Sequence, residues 1–298
     1  MRTVIQAFVQ MAPAVLIFAV LAIIPFAVLE QIWPAGRRPG VREYTTNILV
    51  SLSGLVLAYP FGLLAGFCGE HVRKHLPWHT ISFSFADIEK VPTVGPALAV
   101  VAMIVVPLIL HDGWFYFSHR LEHRVPLLWE FHQIHHSDTN MNASTYERDH
   151  FLQTAFRAFF SVFTLGLIVD LDLKEAAQAA YYSSLFLSVW SMFYHSAIRI
   201  ELPWLDRVLM TPQLHRIHHS VNPAHHNRNF ADVFPVFDIL FGTFLKPNPG
   251  EWAETGLGAE FPPPRSFWSA QLTPLFAVWR RLLVGRRIGR SGIQQRAG

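Results

Sequence analysis

The chain of 298 residues is 51% hydrophobic and only 15% charged, against roughly 25% charged residues in an ordinary soluble domain, which excludes the composition of a typical water-soluble enzyme. Lys plus Arg number 24 against 21 Asp plus Glu, a net charge of +3, and so mild an excess excludes strong nucleic-acid binding, which needs clustered positive charge. A single cysteine, Cys68, excludes an internal disulfide and any Cys-rich zinc or iron–sulfur site, so a metal would be held by some of the 16 histidines.

In chain order, apolar stretches run over residues 12–29, 48–67, 94–110, 151–169 and 176–194. Each is close to the ~20 residues a helix needs to cross a bilayer. The pattern predicts an all-α integral membrane protein, multi-pass, with about five membrane-spanning helices and a cytoplasmic helical cap that carries the histidines. The first stretch ends in Glu30-Gln31-Ile32-Trp33, without a small-residue cleavage site, and reads as an anchor instead of a signal peptide. Arg37, Arg38 and Arg42, with the tail arginines Arg280, Arg281, Arg286, Arg287, Arg290 and Arg296, place those segments in the cytoplasm, and the acidic loop 170–175 on the far side. The expected organisation is membrane anchor helices over 1–93, a catalytic domain over 94–250 and a basic cytoplasmic tail over 251–298. Within the tail, residues 268–290 form an amphipathic, arginine-rich stretch suited to anionic headgroups.

Thirteen of the sixteen histidines fall within 111–150 and 195–226. The fourth and fifth apolar stretches between them make a hairpin, so both groups emerge on one face, that of the basic tail. Asp112, Tyr116, His119 and His123 are spaced i, i+4, i+7 and i+11, one stripe of a helix. His132, His135 and His136 follow at i, i+3 and i+4 on a helix that Pro126 can open. His215, His218 and His219 repeat that spacing, with Thr211 as N-cap and Pro212 as the first helical residue. Eight aligned imidazoles exceed the four ligands of a structural zinc or the three of a catalytic one, which implies two metals. Imidazole suits iron, zinc and copper alike, so spacing does not name the metal. A rival reading takes His119, Glu122 and His123 as the H-x-x-E-H motif of a membrane zinc metallohydrolase with Glu122 as base; it leaves both HxxHH groups without a role. A metal transporter would carry ligands inside its spans, whereas these histidines lie outside them.

The run from Asp112 and Tyr116 through His119, His123, His132, His135, His136 and Ser137 to Met141-Asn142-Ala143-Ser144-Thr145 resembles the fatty acid hydroxylase/sterol desaturase superfamily of membrane oxygenases. The later run His215-Arg-Ile-His218-His219-Ser220, with Asn229-Phe230 and Asp238 to Thr243, is similar to the closing motif of that family. The resemblance covers about residues 111–244. It implies a non-haem diiron centre, with two iron ions that use O2 as co-substrate and two external electrons to hydroxylate or desaturate a C–H bond of a lipid or sterol-like substrate. The ligands it implies are His119, His123, His132, His135, His136, His215, His218 and His219, joined by His195 in Phe193-Tyr194-His195-Ser196. His150 sits where relatives often carry another histidine, although Phe151-Leu152-Gln153 follows here in place of the usual Pro and Glu. His111, His225 and His226 break the ligand spacing, and His71, His75 and His79 belong to the opposite face. Asp112, Asp232 and Asp238 are candidates to accept the other ring N–H of a ligand histidine. No haem, flavin or iron–sulfur segment is recognisable, so a separate electron-donor protein is expected at the cytoplasmic face, where Arg120, Arg124 and Arg216 could meet an acidic partner.

Overall fold

The computed structural model describes residues 17–18, 21–76, 81–82, 87–88, 90–170, 173–259, 261–264 and 266–284. The described chain is helical apart from a two-residue parallel pair, β1 (Ile81–Ser82) against β2 (Val169–Asp170). Helix α1 (Leu21–Ile32) precedes α2 (Val41–Arg73), whose first turn is closed by the Glu43 carboxylate accepting from the Gly40 N–H at 2.6 Å. Next come α3 (Gly95–Arg124) and, after Val125 alone, α4 (Pro126–His136), each with a proline in its first turn as the sequence requires. A 3₁₀ turn at Ala143–Glu147 leads to α5 (Phe151–Ile168) and α6 (Leu173–His195). The last histidines lie on α7 (Pro212–His218), capped by Thr211, whose hydroxyl accepts from the Leu214 N–H. A second 3₁₀ turn (Pro223–His225), α8 (Val236–Leu240) and α9 (Phe267–Val284) complete the described chain.

All five apolar stretches are helical over their described residues, apart from Val94, which precedes α3, and Val169, which lies in β2. Helices α2 and α3 are long and apolar enough to cross a membrane, and only 25% and 22% of their apolar windows are buried inside the protein. Val56, Leu64, Phe67, Leu98, Val101 and Ile109 point outward, an arrangement that water would oppose and lipid would favour. Close packing of α2 on α5 depends on glycine: a Cβ at Gly54 would lie 2.9 Å from Thr154 Oγ1, and one at Gly69 would lie 3.3 Å from the Phe163 carbonyl.

Polar side chains gather the helix ends into one layer. Glu30, at the end of α1, accepts from the Ala143 N–H at 2.7 Å, from the Ala197 N–H at 2.8 Å and from the Tyr44 hydroxyl. Asn47, near the start of α2, donates to Asp138 at 3.2 Å and to Ser144 at 3.1 Å. Thus the ends of α1, α3 and α6 and the starts of α2 and α5 meet the same layer as α4 and α7, which is the alternation that brings both histidine groups to one face.

In the tail, α9 packs one side on the cap: Ala270 is fully buried against Val50 and Ile134, Gln271 donates to Ser53 Oγ at 3.0 Å, and Arg281 pairs with Glu130 at 2.5 Å. Its other side exposes Trp268, Leu272, Phe276, Trp279, Leu282 and Leu283. Arg286, Arg287, Arg290 and Arg296 lie outside the described residues, as does part of the acidic loop at 171–172.

Candidate metal centre

The three histidine motifs fold into two adjacent buried groups. His119, His123, His132, His136 and His218 form one; His135, His195, His215 and His219 form the other; within each, the candidate ligand atoms lie within 4.8 Å of one another. Helical spacing explains the division. In α4 the i, i+4 pair His132 and His136 serves the five-histidine group, and the intervening His135 crosses to the four-histidine group. On and just past α7 the roles reverse: His215 and His219 serve the four-histidine group, and His218 crosses to the other. The groups touch where the His136 and His219 rings stack with centroids 4.4 Å apart. Nine of the ten sequence-predicted ligands are thereby brought together.

Hydrogen bonds fix where several ring protons sit. His119 Nδ1 donates to the Phe230 carbonyl and His218 Nδ1 to the Arg228 carbonyl, each at 2.8 Å. A carbonyl can only accept, so the proton is on Nδ1 and Nε2 presents a lone pair. Those two Nε2 atoms face each other at 3.0 Å. In the other group His195 Nδ1 donates to the Ser191 carbonyl at 2.8 Å, and its Nε2 lies 2.8 Å from His215 Nε2. Converging lone pairs repel unless a cation lies between them. Neighbouring nitrogens bound to one ion at ~2.1 Å would be roughly 3 Å apart, close to the 3.0–3.1 Å separations among His119, His123, His132 and His136. Burial also pushes the imidazoles of His132, His135, His136, His215 and His219 well below their ordinary range, and that of His218 to about 3. They are therefore neutral, as metal ligands must be. The donor set fits two metal ions.

The remaining candidates are placed elsewhere. His150 joins neither group: its Nε2 donates to the Gln271 carbonyl at 2.9 Å, its Nδ1 accepts from the Leu152 N–H, and its ring packs on Phe131. Asp112, Asp232 and Asp238 do not accept from ligand histidines. Asp112 accepts from the backbone N–H groups of Asp232, Val233 and Phe234; Asp232 is held by His111 and Tyr194; Asp238 accepts from Phe230, Ala231 and Thr243. These carboxylates shape the 230–243 loop that lies over His119. Arg216 is buried, with its guanidinium 5.1 Å over the Trp252 ring, so it is withdrawn from any docking surface. His71 and His75 pack together at the far end of α2, their ring centroids 5.2 Å apart, and His79 lies outside the described residues. Glu122 is gripped through both oxygens by Arg157, which removes the free base that the H-x-x-E-H reading needs.

Sequence reasoning passed over Asp149, Gln153 and Arg157, which pack beside His132 and His135. Two signals pointed to them: their i, i+4, i+8 spacing, and the position of Arg157 as the one charged side chain within an apolar stretch. Beside the four-histidine group lies a cavity of about 360 Å³, lined by His119, His135, His195 and His215 at one end and by residues such as Ser161, Val162 and Leu187 from the interiors of α5 and α6. Most of its wall is apolar, a suitable lining for a hydrocarbon chain.

Residues 104–243 match the family model for fatty acid hydroxylase. The chain is 28% identical over 187 residues to ornithine lipid hydroxylase OlsE of Rhizobium tropici, covering 62% of this chain and 54% of that protein. It is 31% identical over 137 residues to alkylglycerol monooxygenase of Homo sapiens, covering 46% of this chain and 29% of that protein. With the cholesterol 25-hydroxylase-like protein of Danio rerio it shares 25% identity over 225 residues, 74% of this chain and 84% of that relative. The chain thus spans about half or less of the first two relatives. No solved structure matches it.

Proposed function

From a chain whose residues 104–243 match the family model for fatty acid hydroxylase, we propose a membrane non-haem diiron oxygenase that hydroxylates or desaturates a C–H bond of a lipid or sterol-like substrate. Its metal ligands are His119, His123, His132, His136 and His218 at one ion and His135, His195, His215 and His219 at the other. His150 acts instead as a structural tie between the start of α5 and α9. When bound, the iron pair supplies oxygen activation with two electrons from a separate donor protein. The chain crosses the membrane about five times, and the site faces the cytoplasm.

The observation that carries this reading is the convergence of Nε2 lone pairs in two adjoining buried groups, one of which closes the end of an apolar cavity between helices. The residues divide the work. Backbone carbonyls at Ser191, Arg228 and Phe230 hold protons on Nδ1, so that Nε2 stays available at all times. The walls from α3, α5 and α6 hold the chain of the substrate and exclude water from the reacting carbon. The match to the fatty acid hydroxylase model, with relatives named as lipid and sterol hydroxylases, supports a lipid substrate.

Mass spectrometry of total lipids from matched cells carrying the intact protein or His135→Ala tests the proposal. A species that gains one oxygen only with the intact protein is the expected result for hydroxylation, and one that loses two hydrogens is the result for desaturation. Identical lipid profiles would overturn the reading.

A further inference from the structure

Beneath the two histidine groups, one guanidinium joins two carboxylates. Arg157, on the second turn of α5, donates from Nε to Glu122 Oε1 at 2.9 Å and from Nη2 to Glu122 Oε2 at 2.7 Å. Its third side donates from Nη1 to Asp149 Oδ2 at 2.9 Å. Each carboxylate stands behind a histidine of a different group. Glu122 Oε2 lies 3.4 Å from His132 Nδ1, in the five-histidine group, and Asp149 Oδ1 lies 3.4 Å from His135 Nδ1, in the four-histidine group. The Gln153 amide fills the space between, donating to Asp149 at 3.1 Å and touching His132 Nδ1 at 2.8 Å. Glu122 is 1% exposed, Asp149 11% and Arg157 18%.

Resting on the metal reading above, we propose that Arg157 is a positioning residue shared by both metal sites, which it couples by fixing Glu122 behind His132 and Asp149 behind His135. Only arginine has the geometry to bridge them, because its planar fork offers donors on three sides, enough to serve two carboxylates at once, whereas lysine presents a single point. The charge count also suits two cations. Nine imidazoles bring no negative charge, while two carboxylates against one guanidinium leave a net −1 beside the sites. Each carboxylate acts on its ring through charge across 3.4 Å, favouring a bound cation, and losing such an outer partner lowers metal affinity roughly 10- to 100-fold. Such a role accounts for an arginine in an otherwise apolar helix, where an unpartnered charge would be costly.

The test uses the full chain in detergent micelles, stripped of metal and titrated with Co²⁺, with absorbance and metal content as readouts that do not depend on turnover. The intact protein is expected to take up two ions. Arg157→Met should weaken both binding phases about 10- to 100-fold, whereas Glu122→Gln and Asp149→Asn should each weaken one phase, and different ones. Should Arg157→Met fail to fold, the two carboxylate variants carry the test, because each leaves Arg157 one partner. Arg157→Met binding both ions as the intact protein does, or both carboxylate variants weakening the same phase, would overturn the coupling while leaving the metal reading in place. An intact protein that binds no Co²⁺ would overturn the metal reading, and the coupling with it.

Discussion

The two histidine groups share two helices yet differ in what surrounds them. The five-histidine group draws on α3, α4 and α7 and borders a tight recess with Trp129, Ser220, Gly256 and Leu257. The four-histidine group draws on α4, α7 and the end of α6, and three of its rings, His135, His195 and His215, line the large apolar cavity, to which the other group contributes only His119. Bracing differs as well. His119 and His218 are tied to carbonyls, as His195 is on the other side, whereas Nδ1 of His215 and His219 has no hydrogen-bond partner and that of His135 has only the Asp149 carboxylate 3.4 Å away. If both groups hold metal as proposed, fewer donors would leave more of a metal's coordination open, which would give the four-histidine group the substrate-facing role and the other a holding role.

The strongest way to break this contrast is to remove one ring from each side. His215→Ala and His123→Ala should each lose one metal equivalent and lower product at least ~100-fold, read by metal analysis and lipid mass spectrometry; full product from His123→Ala would abolish the holding role. Acid tests both groups together. Burial depresses the native imidazoles of His132, His136 and His218 on one side and of His135, His215 and His219 on the other, so below pH ~6.5 the unfolded chain binds more protons than the folded one. Metal-free protein should therefore lose stability as pH falls below ~6.5, by up to about 1.4 kcal/mol per histidine for each unit, partly offset by Glu147, whose carboxyl is pushed up to about 7 by burial. Thermal midpoints measured between pH 7.5 and 5.5 check this, and a flat profile would contradict it. A smaller effect is expected from crowding the cavity alone. Val162→Trp should lower product roughly tenfold (about 1.4 kcal/mol) with both metals retained; unchanged turnover would move the substrate away from the four-histidine side. Smallest is the loss of the Thr211 cap. Thr211→Ala should cost about 1 kcal/mol of stability and weaken metal binding chiefly at the four-histidine group, which takes two rings from the α7 motif against one.

Much of this arrangement was legible in the sequence, because helical spacing is a strong code for neighbours on one face. Pro126 and the Thr211-Pro212 pair marked where two ligand helices begin, and the spacing of His119, His123 and the two HxxHH motifs selected eight of the nine clustered rings. His195 came from the resemblance alone. The spacing could not reveal that each HxxHH divides between two sites, since i, i+3 and i+4 lie on one face of an isolated helix and only the packing of α4 against α7 separates them. His150 misled because a histidine beside the site looks the same in sequence whether it binds metal or the Gln271 carbonyl. The partners of Asp112 and Asp238 were illegible for a related reason: both accept from backbone N–H groups, which every sequence possesses. Arg157 was legible in principle, as a charge that an apolar helix would not keep without partners.

The division of the last motif also sets an order of events during synthesis. Both histidine groups require rings from residues 215–219, so neither is complete until the ribosome has passed His219. By then every apolar stretch has already been made. Glu30 waits almost as long, since one of its backbone partners is Ala197. On the proposed metal reading, loading would thereby wait until all five apolar stretches and the cap have been made.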